Sequence, residues 1–272
     1  MPRVSVIIPT YNRDYIIEQS IQSVLDQTYT DFELIVVDDG STDDTSELVE
    51  AIVAKDKRVK LIHTPGNLGA AGARNFGIQH ASGELIAFED SDDFWTKDKL
   101  KKCVEALDSV DDTYGFAYHE IQYDFGEGAY AVMPDQKMSI ESKSGDIFAQ
   151  TMYDNLVACP AMVIKKKYLN QAGLFDTELK ALEDYDLTIR LTKLCKAVFV
   201  PEVLLNATYS EGSVSRNTIN YLTASCMLIG KYKSDYLSTN TFNHRLETIL
   251  NDSQAIGMQE QYVGLLEKIL QM

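Results

Sequence analysis

Four carboxylates crowd the five residues Glu89-Asp90-Ser91-Asp92-Asp93, directly after the apolar run Leu85-Ile86-Ala87-Phe88. Carboxylates packed this closely repel one another unless something neutralises them. A hard divalent cation, which takes oxygen ligands, does so at least cost. Asp90 and Asp92 stand two apart, so on an extended chain they face the same side. Such a D-x-D pair at the end of a buried strand can hold Mg²⁺ or Mn²⁺ against a diphosphate. The same five residues can also be a solvated acidic turn capping the next helix, the commoner role for an isolated D-x-D. Two further acidic groups fall at element ends, Asp38-Asp39 and Glu183-Asp184-Tyr185-Asp186. Acids at the start of a helix are favoured by its dipole, and Arg190 can pair with Asp186 at i, i+4. The string around Asp38-Asp39 also invites comparison with the D-x-D-G-T phosphatase signature. Here the two acids are adjacent, so a nucleophile and a second acid two residues on are not both placed.

The elements that must hold these residues alternate through the first half of the chain. Val4 to Ile8 reads as a strand stopped by Pro9, Phe32 to Val37 as a second, Val59 to Ile62 as a third and Leu85 to Phe88 as a fourth. Between them, Ile16, Ile17, Ile21, Val24 and Leu25 share one helical face. Ser41-Thr42-Asp43-Asp44 is an N-cap cluster whose helix buries Leu48, Val49, Ile52 and Val53. Further helices are expected over Ala70–His80 and Lys97–Leu107. This β-α alternation implies an α/β fold, a doubly wound, mostly parallel sheet covered on both faces. Ligands of such sheets bind at the carboxyl ends of the strands, where Thr10, Asp38-Asp39 and Asp90-Asp92 all lie. Beyond residue 112 the pattern loosens. Tyr114–Tyr123 and Ala129–Met138 read as longer strands, followed by a helix near Ile147–Tyr153 and a strand near Ala161–Ile164. Glu183–Leu194 is helical, and Val198–Val200 and Val203–Leu205 are short strands broken by Pro201. From Asn217 onward the chain reads as wholly helical.

The 272 residues suffice for one large domain or a domain with an appendage, and 45% hydrophobic residues give it a sizeable core. Acids outnumber bases 41 to 25, for a formal charge of −16, which argues against nucleic acid and against anionic lipid as electrostatic partners. Cys103, Cys159, Cys195 and Cys226 form no C-x-x-C and read as reduced thiols of a cytoplasmic protein. His63, His80, His119 and His244 make no metal spacing, and His119 reads as structural. With Met1-Pro2-Arg3-Val4 entering a strand at once, no signal peptide is expected, and no apolar run has the length of a membrane span. Any membrane association is expected to come through an acceptor or a partner.

Taken in order, the landmarks are Val4-Ser5-Val6-Ile7-Ile8-Pro9-Thr10-Tyr11-Asn12 and Val36-Val37-Asp38-Asp39-Gly40-Ser41-Thr42-Asp43. Asn67-Leu68-Gly69 with Ala73-Arg74-Asn75 comes next, then Phe88-Glu89-Asp90-Ser91-Asp92-Asp93, and last Glu183-Asp184-Tyr185-Asp186. Over about residues 1–215 this succession resembles the family 2 inverting glycosyltransferases of the GT-A fold. The resemblance implies a Rossmann-like sheet, with residues 1–110 as a nucleotide-sugar-binding half and 111–215 as an acceptor-binding half. Residues 216–272 would then be a C-terminal helical extension that packs on the catalytic domain, shapes the acceptor site or forms a homodimer.

The resemblance also assigns roles. Pro9, Thr10 and Tyr11 line the nucleotide site. Asp39 recognises the base, its carboxylate suiting the N3–H of uracil or thymine, so the donor is a UDP- or dTDP-sugar. Asn67 and Gly69 bring backbone close to the nucleotide, and Arg74 reaches the base or the phosphates with its fixed guanidinium donors. Asp92 is the direct ligand of Mn²⁺ or Mg²⁺, while Asp90 contacts ribose or the metal's water, with Ser91 between them in the donor site. Asp184 is the general base that takes the acceptor hydroxyl's proton; Glu183, Asp186, Glu89 and Asp93 are structural. In many relatives a histidine stands where Tyr209-Ser210-Glu211-Gly212-Ser213 has Ser210, so the third position at the metal is left to water, Tyr209 or Ser213, or the metal is held through Asp92 and the diphosphate alone. No Q-x-x-R-W element is present, which points to transfer of a single sugar to a glycan, glycolipid or glycoprotein. The rival readings are a catalytically idle nucleotide-sugar-binding or scaffolding relative, and a nucleotidyltransferase. The second needs a basic loop after the first strand, where Arg13 is the only cation.

Overall fold

The computed structural model describes residues 1–126, 128–134, 138–208 and 217–271. Strands β1 (Val4–Thr10), β2 (Phe32–Asp38), β3 (Val59–His63) and β4 (Leu85–Phe88) alternate with helices α1 (Ile17–Leu25), α2 (Thr45–Val53) and α3 (Gly69–His80). They pair in parallel in the order β3-β2-β1-β4. The sheet continues from β4 into β8 (Val163–Lys165), β6 (Tyr114–Asp124), β9 (Lys196–Thr208) and β5 (Phe94–Trp95). Here β8 runs antiparallel to both β4 and β6, while β9 is parallel to β6. A short β7 (Tyr130–Met133) forms a hairpin with β6.

Both faces of this sheet are covered, so its strands are apolar at consecutive positions rather than alternately. Val4, Val6 and Ile8 of β1, with Leu34 and Val36 of β2, pack under α1, α2 and α4 (Lys99–Asp108). Ile7, Ile35, Val37, Ile86 and Phe88 point the other way, under α3, α6 (Lys166–Ala172) and α7 (Glu183–Thr192). The contact with α3 is close. A Cβ placed on Gly77 would lie 2.6 Å from the Ile7 Cγ2 methyl and 3.0 Å from that of Val37, so only glycine lets this helix lie where it does. A third apolar cluster joins Met152 of α5 (Phe148–Tyr153) and Tyr185 and Ile189 of α7 to the C-terminal helices. These are α8 (Thr218–Lys231), α9 (Lys233–Ser238), α10 (Phe242–Ala255) and α11 (Gln259–Gln271). These four helices therefore pack against α5 and α7.

Several sequence expectations are corrected. Pro9 does not stop β1, which pairs with β2 through Pro9 and Thr10. The β4 pairing ends at Ile7–Phe88, so past that point one side of the strand has no ladder for proline to break. Val198–Val200 and Val203–Leu205 are one strand, β9. Its register along β6 jumps from Val200 opposite His119 to Val203 opposite Glu120, and this bulge absorbs Pro201. The strand expected over Ala129–Met138 is described only as Tyr130–Met133. The two-residue β5 and the seven-residue α6 are too short to show a period in the sequence.

Candidate active site

The carboxyl ends of β1, β2 and β4 gather the expected residues on one rim. Thr10 is buried, with its Oγ1 lacking a partner, and its carbonyl accepts the Asp39 N–H at 2.9 Å. Tyr11 is half exposed. The loop that follows is pinned to the one after β2, because the Asn12 Oδ1 accepts the Thr42 N–H at 2.8 Å and the Arg13 N–H donates to Thr45 Oγ1 at 2.8 Å. Asp39 is buried and accepts from Thr64 Oγ1 (2.7 Å), Leu68 N–H (2.9 Å) and Gly69 N–H (2.8 Å). Gly69, at φ +72°, opens α3, so Asp39 serves the free N–H groups at that helix start. Asn67 stays exposed on the same loop.

Arg74 is the hub. Only 5% exposed, it donates from Nη2 to Asp90 Oδ1 at 2.6 Å and from Nη1 to Glu183 Oε1 at 2.9 Å. Its guanidinium lies 5.6 Å from the Phe175 ring centroid. One planar fork thus ties the D-x-D segment to the first turn of α7, which carries Asp184. Ser91 is buried, and Asp93 closes the turn by donating its N–H to the Asp90 carbonyl at 3.2 Å. Asp92 is partly exposed, with Arg13 Nη2 3.9 Å away. Burial, and then the Asp90 charge, push its carboxyl upward against the pull of Arg13. Glu89 is wholly buried and neither carboxylate oxygen has a hydrogen-bond partner. Burial, opposed by Lys99, holds it far above the usual carboxylate range.

Asp184 accepts the Cys159 N–H on Oδ2 at 3.1 Å and the Tyr185 N–H on Oδ1 at 2.7 Å. Burial, and then the neighbouring Glu183 charge, push it up to about 6, against Cys159 N–H, Arg74 and Tyr185 N–H. Tyr123 of β6, its hydroxyl raised first by burial, also feels Asp93, Asp184 and Asp90.

Arg13 and the Cys159 N–H carry no site role in the sequence reading, while Glu183, expected to be structural, pairs with Arg74. Arg13 directly follows the Val4–Asn12 landmark, which is its one signal in the sequence. A backbone donor on a separate turn leaves no trace in a sequence. Asp186 is more than dipole charge. Fully buried, it takes the expected Arg190 pair (2.6 Å), the Tyr232 hydroxyl (2.7 Å) and Lys231 (2.7 Å), locking α7 to α8. His119 is buried, and its Nδ1 lies 2.8 Å from the Glu120 carbonyl. The Tyr209–Ser213 segment lies outside the described residues. Among the described residues no three His, Cys, Asp or Glu side chains are grouped to hold a metal ion. What the rim offers a cation is the Asp90–Asp92 pair, with Asp92 raised by burial and then by the Asp90 charge. That fits a metal completed by a ligand's own oxygens.

The sequence pattern of Glycosyl transferase family 2 matches residues 5–170. An uncharacterized glycosyltransferase of Haemophilus influenzae is 52% identical over 38% of this chain and 41% of its own length. The Escherichia coli UDP-Glc:alpha-D-GlcNAc-diphosphoundecaprenol beta-1,3-glucosyltransferase WfaP is 31% identical over 82% of this chain and 83% of its own. The chain spans less than half the length of several other relatives, 30% in the case of a Rickettsia conorii protein. Among solved structures, Staphylococcus aureus TarS 1-349 in complex with UDP-GlcNAc superposes with a TM-score of 0.76, covering 99% of this chain and 81% of its own at 23% identity. The mannosyltransferase PcManGT of Pyrobaculum calidifontis, in complex with GDP-Man and Mn²⁺, gives 0.69 at 21% identity, covering 98% and 79%. Both share the fold. No helix among the described residues is long and apolar enough to cross a membrane.

Proposed function

We propose, for a chain that belongs to glycosyl transferase family 2, that it moves a single sugar from a UDP- or dTDP-sugar to a hydroxyl of a glycan, glycolipid or glycoprotein, inverting the anomeric centre. One observation carries this reading: Arg74 joins Asp90 to Glu183, the neighbour of Asp184. Donor-side and acceptor-side chemistry therefore share one rim. The donor lies along the carboxyl ends of β1, β2 and β4, with residues 1–110 as its binding half and 111–215 facing the acceptor. Asp39 is held in place by three donors, the Leu68 N–H reaching both its oxygens, and is set to accept the N3–H of uracil or thymine. Asp92 and Asp90 would hold Mn²⁺ or Mg²⁺, which when bound supplies Lewis-acid stabilisation of the leaving diphosphate. Arg13, beside Asp92, adds a positive charge to the phosphate side of the site.

Asp184 takes the proton of the acceptor hydroxyl as that oxygen attacks from the face opposite the diphosphate. Its carboxyl, raised to about 6, is ionised at neutral pH yet basic enough to accept a proton. The two N–H groups on its oxygens hold it in place. A single displacement needs no covalent enzyme nucleophile. The UDP-glucose donor in the name of the E. coli relative and the UDP-GlcNAc bound by TarS support the donor class. The Mn²⁺ bound by PcManGT supports the metal.

Thermal unfolding of the protein with UDP-, dTDP- and GDP-sugars, each with and without Mn²⁺, tests the donor. UDP- or dTDP-sugars should stabilise it in an Mn²⁺-dependent way that Asp92→Asn abolishes. Hydrolysis of the stabilising donor tests the chemistry. If no donor is turned over and Asp184→Asn changes nothing, the proposal fails.

A further inference from the structure

We propose that the turn Cys159–Ala161 is the positioning element of the base, its Cys159 N–H orienting the Asp184 carboxylate and its Pro160 carbonyl anchored by the buried side chain of Lys99. The inference rests on Asp184 being the base. Asp184 stands in the first turn of α7, and its own helix offers its side chain only the Tyr185 N–H. The second oxygen is held from outside, by the Cys159 N–H at 3.1 Å. That turn is short and stiff. Ala161 N–H closes on the Ala158 carbonyl at 3.0 Å, Met162 N–H on that of Cys159 at 3.1 Å, and Pro160 fixes its own φ.

Behind the turn, Lys99 opens α4 with its side chain entirely buried. Its Nζ donates to the Pro160 carbonyl and lies 3.7 Å above the Trp95 ring. It faces Glu89 and Asp93, while burial brings it down to about 8. Burying an ammonium costs more than burying an apolar chain of equal length, so packing alone does not account for a lysine here. A hydrogen-bonded hold on the turn does. The path runs from Glu89, which directly precedes Asp90, through Lys99 and Pro160 to the Cys159 N–H and the base. The Cys159 side chain takes no part in it, because the donor is backbone.

Only proline at position 159 deletes that donor. The local geometry admits it, since Ala158 has φ −74° and ψ 148°, the extended conformation required before proline. The charged or titratable groups facing Asp184 are Glu183 on its own helix, Arg74 from α3, the Cys159 thiol and the Tyr123 hydroxyl. None is altered in charge by Lys99→Met, and only the thiol is lost in Cys159→Pro.

The experiment follows the carboxyl carbons of ¹³C-labelled aspartate by NMR through a pH titration of the full chain, Asp184→Asn identifying the Asp184 resonance. A lost N–H bond to an anion should raise the Asp184 midpoint by about one pH unit in Cys159→Pro. Cys159→Ser, which keeps the N–H, should leave it in place. Lys99→Met should raise it in the same direction. A wild-type midpoint in folded Cys159→Pro overturns the proposal; if that variant does not fold, a wild-type midpoint in Lys99→Met does so. The acid limb of donor hydrolysis should move with the NMR midpoint. An Asp184→Asn enzyme that transfers normally sinks the base assignment instead, whatever the titration shows.

Discussion

Asp184→Asn separates a residue kept for chemistry from one kept for stability. In the fold its carboxyl is raised from the ordinary 3.8 to about 6, by burial first and by Glu183 second. At low pH, below the unfolded value, both states carry the proton and the group contributes nothing. Above the folded value the protein holds an anion it would rather hold neutral. A rise of about two pH units therefore destabilises the fold by about 3 kcal/mol at about pH 8. Asparagine removes this penalty because it stays neutral. It also turns its NH₂ toward one of the two N–H groups now received by Asp184, at a cost of about 1 kcal/mol. The variant should thus be more stable than wild type by about 2 kcal/mol near pH 8 and less stable by about 1 kcal/mol near pH 3. Urea denaturation at several pH values measures the crossover. Transfer should fall by about 10²–10⁴-fold over the same range. A variant less stable than wild type by a constant amount at every pH refutes the reasoning, since the carboxylate would then be a net structural asset.

Other consequences can be checked the same way. Arg74→Lys cannot serve Asp90 and Glu183 together, and breaking one of these half-buried pairs should cost about 3 kcal/mol in urea denaturation; a loss near zero contradicts the bridge. Glu33 is buried, which opposes ionisation, but Lys60, Ser5 and Ser82 hold its carboxyl down to about 2. Its stabilisation is present above its ordinary value near 4.5 and is lost as pH falls through about 2. Glu33→Gln should therefore cost about 3 kcal/mol at pH 7 and progressively less toward pH 2, and a pH-independent loss contradicts this. Gly77→Ala forces a methyl against Ile7 and Val37 and should lower stability by about 1–3 kcal/mol. It should also weaken donor binding by shifting the helix that carries Arg74, and an unchanged melting temperature would show that α3 has room to give.

Much of the first half of the fold was legible because its pattern is local. Apolar runs ending in Thr10, Asp38-Asp39 and Glu89-Asp90 are strands buried on both faces, and the sheet-edge site follows from where they stop. Helix α1 could be read from Ile17, Ile21 and Val24. The second half was less legible. A two-residue β5 has no period to detect, and the bulge that carries Pro201 inside β9 exists only because β6 pairs around it. Asp186 reads as ordinary helix-start charge until α8 supplies Tyr232 and Lys231.

The sequence by itself determined which residues could do chemistry and at which strand ends they stand, since residue type and strand boundary are properties of short stretches. It could not decide partnerships. Arg74 meets Asp90 from 16 residues away and Glu183 from 109, and Asp184 takes a backbone N–H from 25 residues upstream. Such contacts depend on how α3, α7 and the Cys159 turn pack over one sheet edge. Burial then turns an ordinary aspartate into a carboxyl poised near neutrality, and burial exists only once the chain has folded.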